Sequence, residues 1–489
     1  MRTAAQHPRA QSMARLTMWV LAIASVTGCS FIPTHVRPDA PVPSTYPGDA
    51  SAAAPEGEAA ADIEWQRYFS DPRLQRLIEI ALQHNRDLRI AVLNIEQARA
   101  QYQVRRADEW PTVNAGATAS RQPRVGDSGS GGSISSTYTA GLQITSYEFD
   151  FFGRVRSLSQ AQLAQFLGTE EARKTVQISL IASVANSWLA LLADDELLAV
   201  TRQTLATREE SLKLTQLKFD NGASSELDVR QAQSLLEGAR VALAQQLRQR
   251  ALDENALALL LGQPVPAEAL PAPTAAPSNV ARPALAETVL PDLPAGLPSD
   301  LLNRRPDIRQ AEQQLIAASA NIGAARAAFF PRITLSTSIG SASTELSGLF
   351  KSGSFAWSFA PQLVVPIFDA GRNQANLDAA QVGRDIAVAQ YERAVQSAFR
   401  EVADALAGRA TLGEQLRAQQ AQAQAEETRT RLADLRYRNG ASSYLDVLDA
   451  QRSLFTAQQA VVQTQAAERQ NRVTLYKVLG GGWKDAAGK

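Results

Sequence analysis

The chain is poor in the side chains that carry most protein chemistry. Among its 489 residues are one Cys and three His, too few for a disulfide framework or a Cys/His zinc site. An excess of one charge is also missing: 49 Lys and Arg balance 49 Asp and Glu, which leaves no basic footprint for nucleic acid. His7, His35 and His84 are scattered, the first in a leader and the other two read as solvent-facing. Gly480, Gly481 and Gly482 are read as a helix stop before a loose tail, because no strand precedes them as a phosphate loop requires. No set of nucleophile, base and orienting group stands out, so the sequence reads as no enzyme, with no metal and no cofactor.

Proline is absent from 124–263 and after Pro366, whereas nine of the 23 prolines fall in 264–298. Long proline-free stretches leave room for very long helices, and the Pro-rich stretch reads as a connector or surface belt. From Val388 the apolar positions Tyr391, Val395, Phe399, Val402 and Leu406 recur at steps of three and four, a helical stripe. A helix from Arg372 to Arg438 would be roughly 100 Å long at 1.5 Å per residue, and one from Arg154 to Phe219 nearly as long. Such helices need neighbours, so an elongated barrel or coiled coil is expected.

The lone Cys sits in an informative place. Arg2, Arg9 and Arg15 precede an apolar run from Leu16 to Val26 that ends in VTGC at 26–29. The run is shorter than the about 20 residues that a bilayer-spanning helix needs, and it has the layout of a signal peptide. A small-residue pair followed at once by Cys resembles the lipobox of bacterial lipoproteins, with Cys29 as the acylated first residue of the mature chain. Ser30 after it suggests sorting to the outer membrane, because Asp there usually marks inner-membrane retention in such lipoproteins.

One turn is built twice. Residues 219–229 read FDNGASSELDV and residues 437–447 read YRNGASSYLDV, 218 positions apart. Asn221-Gly222 and Asn439-Gly440 supply the left-handed residue that closes a helix. Ser225-x-x-Asp228 and Ser443-x-x-Asp446 supply a capping-box-like start for the next one. Both are expected to be tips of antiparallel helical hairpins. The similarity extends further: NRDLR at 85–89 aligns with RPDIR at 305–309, Trp110-Pro111 with Phe330-Pro331, and Gly153-Arg154 with Gly371-Arg372. The expected unit is helix, two strands, long helix, tip and returning helix, present twice.

In 355–365, Phe355, Trp357, Phe359, Leu363 and Val365 share one strand face, and Ala356, Ser358, Ala360, Gln362 and Val364 the other. In 137–145, Tyr138, Ala140, Leu142 and Ile144 alternate with Thr139, Gly141, Gln143 and Thr145. Strands of this kind suit a membrane barrel with an aqueous lumen or a soluble sandwich; the leader, Cys29 and the long helices favour the barrel. Four strands cannot close one, and open edges are not tolerated in hydrocarbon, so the chain must oligomerise. The arithmetic permits two, three or four copies.

With these features together, the chain resembles the TolC family of outer-membrane factors, in the lipoprotein (NodT-like) branch of RND-type efflux systems, over about Trp65 to Leu479. The resemblance implies a membrane α+β fold: a trimer whose 12-stranded outer-membrane barrel, four strands per chain, continues into a long periplasmic α-helical barrel. It implies the outer-membrane channel of a tripartite efflux pump, a passive exit duct for drugs or other small toxic compounds. Its partners would be two sister copies, a periplasmic membrane-fusion adaptor, an inner-membrane RND-type transporter and outer-membrane lipid. A channel for type I protein secretion, or a periplasmic adaptor lipoprotein, is the alternative.

The segments expected on this reading are a signal peptide at 1–28, an acylated segment and equatorial belt at 29–70, and a first repeat at 71–263. That repeat has strands near 111–121 and 137–149 and a tip at 219–228. A Pro-rich equatorial linker follows at 264–300. The second repeat, 301–480, has strands near 331–341 and 355–368 and a tip at 437–449, and 481–489 is the tail. The resemblance also implies a periplasmic gate at the tips, formed by Leu445, Asp446 and Asp449 with Tyr437 and Asp228. Asp446 and Asp449 lie three apart, so three copies would line the axis with carboxylates that favour cations. Asp446 as a mere capping acid and Asp449 on a solvated face is the other reading of the same spacing. Ser442 stands where TolC itself carries an Arg, so an Arg–Asp latch is not carried over.

Overall fold

A computed structural model describes residues 30–47, 58–123, 134–270, 285, 288, 290–294, 296 and 298–483. The leader, Cys29 and much of the Pro-rich linker lie outside the described residues. Helices flank a pair of strands in the first half: α1 (Trp65–Tyr68), α2 (Pro72–His84), α3 (Arg86–Ala107), β1 (Asn114–Pro123), β2 (Ile134–Phe149), α4 (Arg154–Asp220) and α5 (Glu226–Leu261). After the linker come α6 (Pro298–Arg304), α7 (Pro306–Ala327), β3 (Arg332–Ser343), β4 (Phe355–Val364), α8 (Arg372–Arg438) and α9 (Tyr444–Val478). Both α4 and α8 have 67 residues.

The helix before each strand pair is broken in two, at Asn85 and at Arg305. Asn85 is extended; its side chain accepts the Leu88 N–H at 2.9 Å and donates to the Leu260 carbonyl at 2.9 Å. In the second half Pro306 opens α7, and the residue before a proline is driven out of the helical region.

The chain divides into two compact units. Of the described residues, one takes those within 1–39, 95–169 and 310–391, and the other those within 40–94, 170–309 and 392–489. The first carries the sheet, antiparallel in the order β1-β2-β3-β4. Its register sorts side chains into rows across all four strands. One row is polar: Asn114, Gln143, Ser338 and Ser358. The next is apolar: Ala115, Leu142, Ile339 and Trp357. The third is small: Gly116, Gly141, Gly340 and Ala356.

On the apolar face Trp357 is 69% exposed and Phe359 62%, while the opposite face is laced by hydroxyls, Ser338 with Ser358 at 2.7 Å and Thr118 with Thr139 at 2.6 Å. A Cβ at Gly141 would strike the Ile339 carbonyl oxygen, and one at Gly340 the Ala140 carbonyl oxygen, so the close approach of β2 and β3 needs glycine at both positions. Strand β4 ends before Pro366, which has no N–H to donate; Ile367 and Phe368 beyond it are almost fully exposed. Pro361 lies inside β4, opposite Leu335.

Residues 30–39 are bound to this unit. Phe31 stacks on Phe330 with centroids 4.7 Å apart, and Phe330 on Phe152 at 4.8 Å. Arg37 holds Glu312 through two hydrogen bonds of 2.9 and 2.8 Å. His35, expected to face solvent, is exposed, with its ring 3.3 Å from the Glu312 carboxylate.

The second unit has its core around Trp65, Tyr68, Leu77, Ile78, Trp188 and Tyr476, all nearly fully buried. Tyr68 and Tyr476 stack at 4.1 Å, and their hydroxyls donate to the carbonyls of Arg472 and Ile63. Among the described residues one stretch, in α4, is long and apolar enough to cross a bilayer, and two-thirds of it is buried in the protein (67%). Gly480, Gly481 and Gly482 follow α9, and the tail at 484–489 lies outside the described residues. All three glycines are buried, Gln177 donates to the Gly482 carbonyl, and Lys174 lies 5.0 Å over the Trp483 ring.

Candidate functional site at the hairpin tips

The two tips are built alike because their sequences make the same hydrogen bonds. Gly222 (φ 72°) and Gly440 (φ 69°) are left-handed. The Ala223 N–H reaches back to the Lys218 carbonyl and the Gly222 N–H to the Phe219 carbonyl, at 2.8 and 2.9 Å. At the second tip, Ala441 and Gly440 bond Arg436 and Tyr437 in the same way. These are the paired bonds of a Schellman closure. Each returning helix then opens with a capping box, Ser225 with Asp228 and Ser443 with Asp446.

The acids differ in what they touch. Asp228 accepts from the Ser225 N–H (3.1 Å), the Ser225 hydroxyl (2.8 Å) and the Ser224 hydroxyl (2.9 Å). Burial pushes its pKa up, but these donors outweigh it and hold the carboxyl below its ordinary value. Asp446 accepts the Ser443 N–H at 3.2 Å, so one of its oxygens is committed to the cap. Asp449 is half-exposed and pairs with Arg429 of α8 at 2.5 Å. Leu445 is 58% exposed. Tyr437 faces the Tyr444 ring at 5.1 Å, and the Lys218 ammonium sits 4.0 Å over it.

Sequence reading missed Arg429, Lys218 and Ser211. A signal for Arg429 existed: it and Asp449 lie equally far from Asn439, and residues equidistant from a hairpin tip face each other. Tyr444 packs with Val447, Leu448 and Ala232 in an apolar cluster joined by Leu212, Leu235, Ala433 and Tyr437. Its hydroxyl meets Ser211 at 2.7 Å. The second hairpin is thereby fastened to the first by an apolar plug with a polar rim. Between α4 and α5 lies an open cleft of about 510 Å³, lined by charges of both signs, among them Glu209, Lys213, Glu226 and Arg230.

Known proteins are similar to this chain over nearly its whole length. The toluene efflux pump outer membrane protein TtgC of Pseudomonas putida is 47% identical over 470 residues, covering 94% of each chain. OprJ, an outer membrane protein of Pseudomonas aeruginosa, is 44% identical over 459 residues, again covering 94% of each. The open state of the Neisseria gonorrhoeae MtrE outer membrane channel superposes with a TM-score of 0.83 at 42% identity, over 93% of this chain and 99% of that one. A profile of the outer membrane efflux protein family matches residues 77–263 and 297–481. With most of its length matched by that profile and by these relatives, the chain belongs to the outer membrane efflux protein family and is a channel protein of the outer membrane, with helices and strands mixed as in its structural neighbours.

Proposed function

We propose that three copies of the chain close a 12-stranded barrel and form the exit duct of a tripartite efflux pump, fed by a periplasmic adaptor and an inner-membrane RND-type transporter. The observation that carries this reading is the four-stranded sheet, in which β1 and β4 are each paired on one side only. Open edges in a bilayer leave backbone groups unpaired at several kcal/mol each, and membrane barrels start at eight strands, so sister chains must supply the missing neighbours. Exposed Phe355, Trp357 and Phe359 suit a lipid-facing surface, and the hydroxyl-rich opposite face suits a wet lumen.

The parallel order of elements in the two halves supports an internal duplication. Cys29 is the proposed acyl anchor; docking of 31–37 beside Phe330 and Glu312 would hold the acylated end close to the strand–helix junction at Pro331. The cargo class is small toxic compounds; toluene is what one relative is named for. No reaction is assigned to the channel.

The gate is assigned to Leu445, Asp446 and Asp449, with Tyr437 and Asp228 as tip supports. Double replacement Asp446→Ala and Asp449→Ala is expected to raise single-channel conductance in planar bilayers; an unchanged value refutes the gate. Deleting the protein is expected to sensitise cells to a panel of solvents and antibiotics, with rescue by the wild-type chain. Unaltered tolerance across the panel, with heat-labile trimers absent from outer-membrane extracts, refutes the duct.

A further inference from the structure

Where α4, α8 and α9 meet lies a cavity of about 100 Å³, lined by Thr204, Arg208, Thr430, Gln451 and Phe455 among others. Arg208 is 6% exposed. One terminal nitrogen donates to the Leu235 carbonyl at 2.8 Å, and the guanidinium carbon is 5.3 Å from the Phe455 ring centroid. Its Nε, fully buried, has no acceptor among the described residues. Nor does any described carboxylate pair with it. Burial pushes its pKa down, and the charge of Arg452 adds to that.

Gln451 lines the same cavity, and its Oε1 is buried without a donor. A half-turn of that amide would aim two N–H donors where the oxygen stands. Thr430 already donates to the Glu426 carbonyl and Thr207 to the Gln203 carbonyl, which leaves Thr204 as the free hydroxyl in the lining. A guanidinium removed from water without a counter-charge is costly, and so is each orphaned polar group. A negative charge inside the cavity, with the Gln451 amide turned toward it, would meet both costs.

We propose that this cavity is an anion site, holding chloride or another small monovalent anion against Arg208 and the Gln451 amide, between the first helical hairpin and the second. At about 30 Å³ per water the space has room for a halide with one or two waters. The site goes beyond the duct reading and does not depend on it, since its groups all lie within one chain.

The test uses the full chain purified in detergent. Replacing gluconate by chloride at constant ionic strength is expected to raise the apparent unfolding midpoint saturably, by roughly 2 °C, and Arg208→Gln is expected to abolish the rise. Crystals grown with bromide are expected to show an anomalous peak beside Arg208 Nε. A midpoint indifferent to halide, an equal response in Arg208→Gln, or water without anomalous signal at that position would overturn the proposal. If Arg208→Gln fails to fold, the bromide peak in the wild-type protein decides alone.

Discussion

Replacing Asp194 by Asn should make the helical unit more stable at neutral and alkaline pH while leaving acid conditions nearly unaffected. Asp194 sits on α4, 6% exposed, with Oδ2 buried and without a donor. Burial, then the Asp253 carboxyl facing it and the charges of Asp253 and Asp195, push its pKa up to about 7, against the opposing pull of Arg250. An Asp in the unfolded chain titrates near 3.9. Below about pH 4 both states are protonated and the contribution is fully present. Between about pH 4 and 7 the folded chain keeps a proton that the unfolded chain has released, so stability falls as pH rises, and above about pH 7 the loss is complete. Three units at about 1.4 kcal/mol each make that loss of order 4 kcal/mol per chain.

Asn keeps a donor for Asp253 and cannot ionise, so the loss disappears. With about 2.1 cal/mol/K of unfolding entropy per residue, a chain of this length moves about 1 °C per kcal/mol. The variant should therefore melt roughly 1 °C above the wild type near pH 5 and roughly 4 °C above it near pH 8. Tryptophan fluorescence of detergent-purified protein, heated at one fixed scan rate, reads this difference. Parallel pH profiles of wild type and variant would refute the shared-proton assignment.

Arg429→Ala frees Asp449 without removing a buried contact, so folding should be unchanged while the reversal potential in a salt gradient shifts toward greater cation preference; no shift would mean that Asp449 does not face the permeation path. Gly141→Ala and Gly340→Ala each drive a methyl into the neighbouring strand, and the assembled protein recovered from outer membranes should drop sharply, as gels of unheated samples would show. Arg305 is 7% exposed and binds Asp307, Glu401 and the Val478 carbonyl; Arg305→Ala removes these contacts but leaves both carboxylates about a third exposed to water, so it should cost about 1–3 kcal/mol, seen as a midpoint lowered by roughly 1–3 °C.

The long helices were legible from what they lack. Without proline to interrupt them, Arg372 to Arg438 can be read off the chain end to end, and the Asn-Gly closures and Ser-x-x-Asp starts name the tips. The break at Asn85 was not legible, because an Asn inside an otherwise helical pattern becomes a cap only when Leu260, 175 residues away, takes its amide. The start of β1 at Asn114 instead of near 111 likewise reflects turn hydrogen bonds that hold Trp110 to Ala107. At the tips, Asp446 and Asp449 were visible as a spaced pair, but spacing along one helix is silent about the facing helix. Hence the partner Arg429, and the different occupations of the two acids, emerge only when α8 is laid beside α9. Lys218 over Tyr437 and Ser211 against Tyr444 join the two halves of the sequence, where no local pattern reports them.

The row of Gly116, Gly141, Gly340 and Ala356 has a consequence for whatever travels through the wall it helps to make. In the proposed barrel, with its strands tilted, it climbs along the lumen face as a band almost without side chains, where a passing molecule brushes bare peptide. Nothing there can grip by shape, which suits a conduit whose passengers are chosen elsewhere.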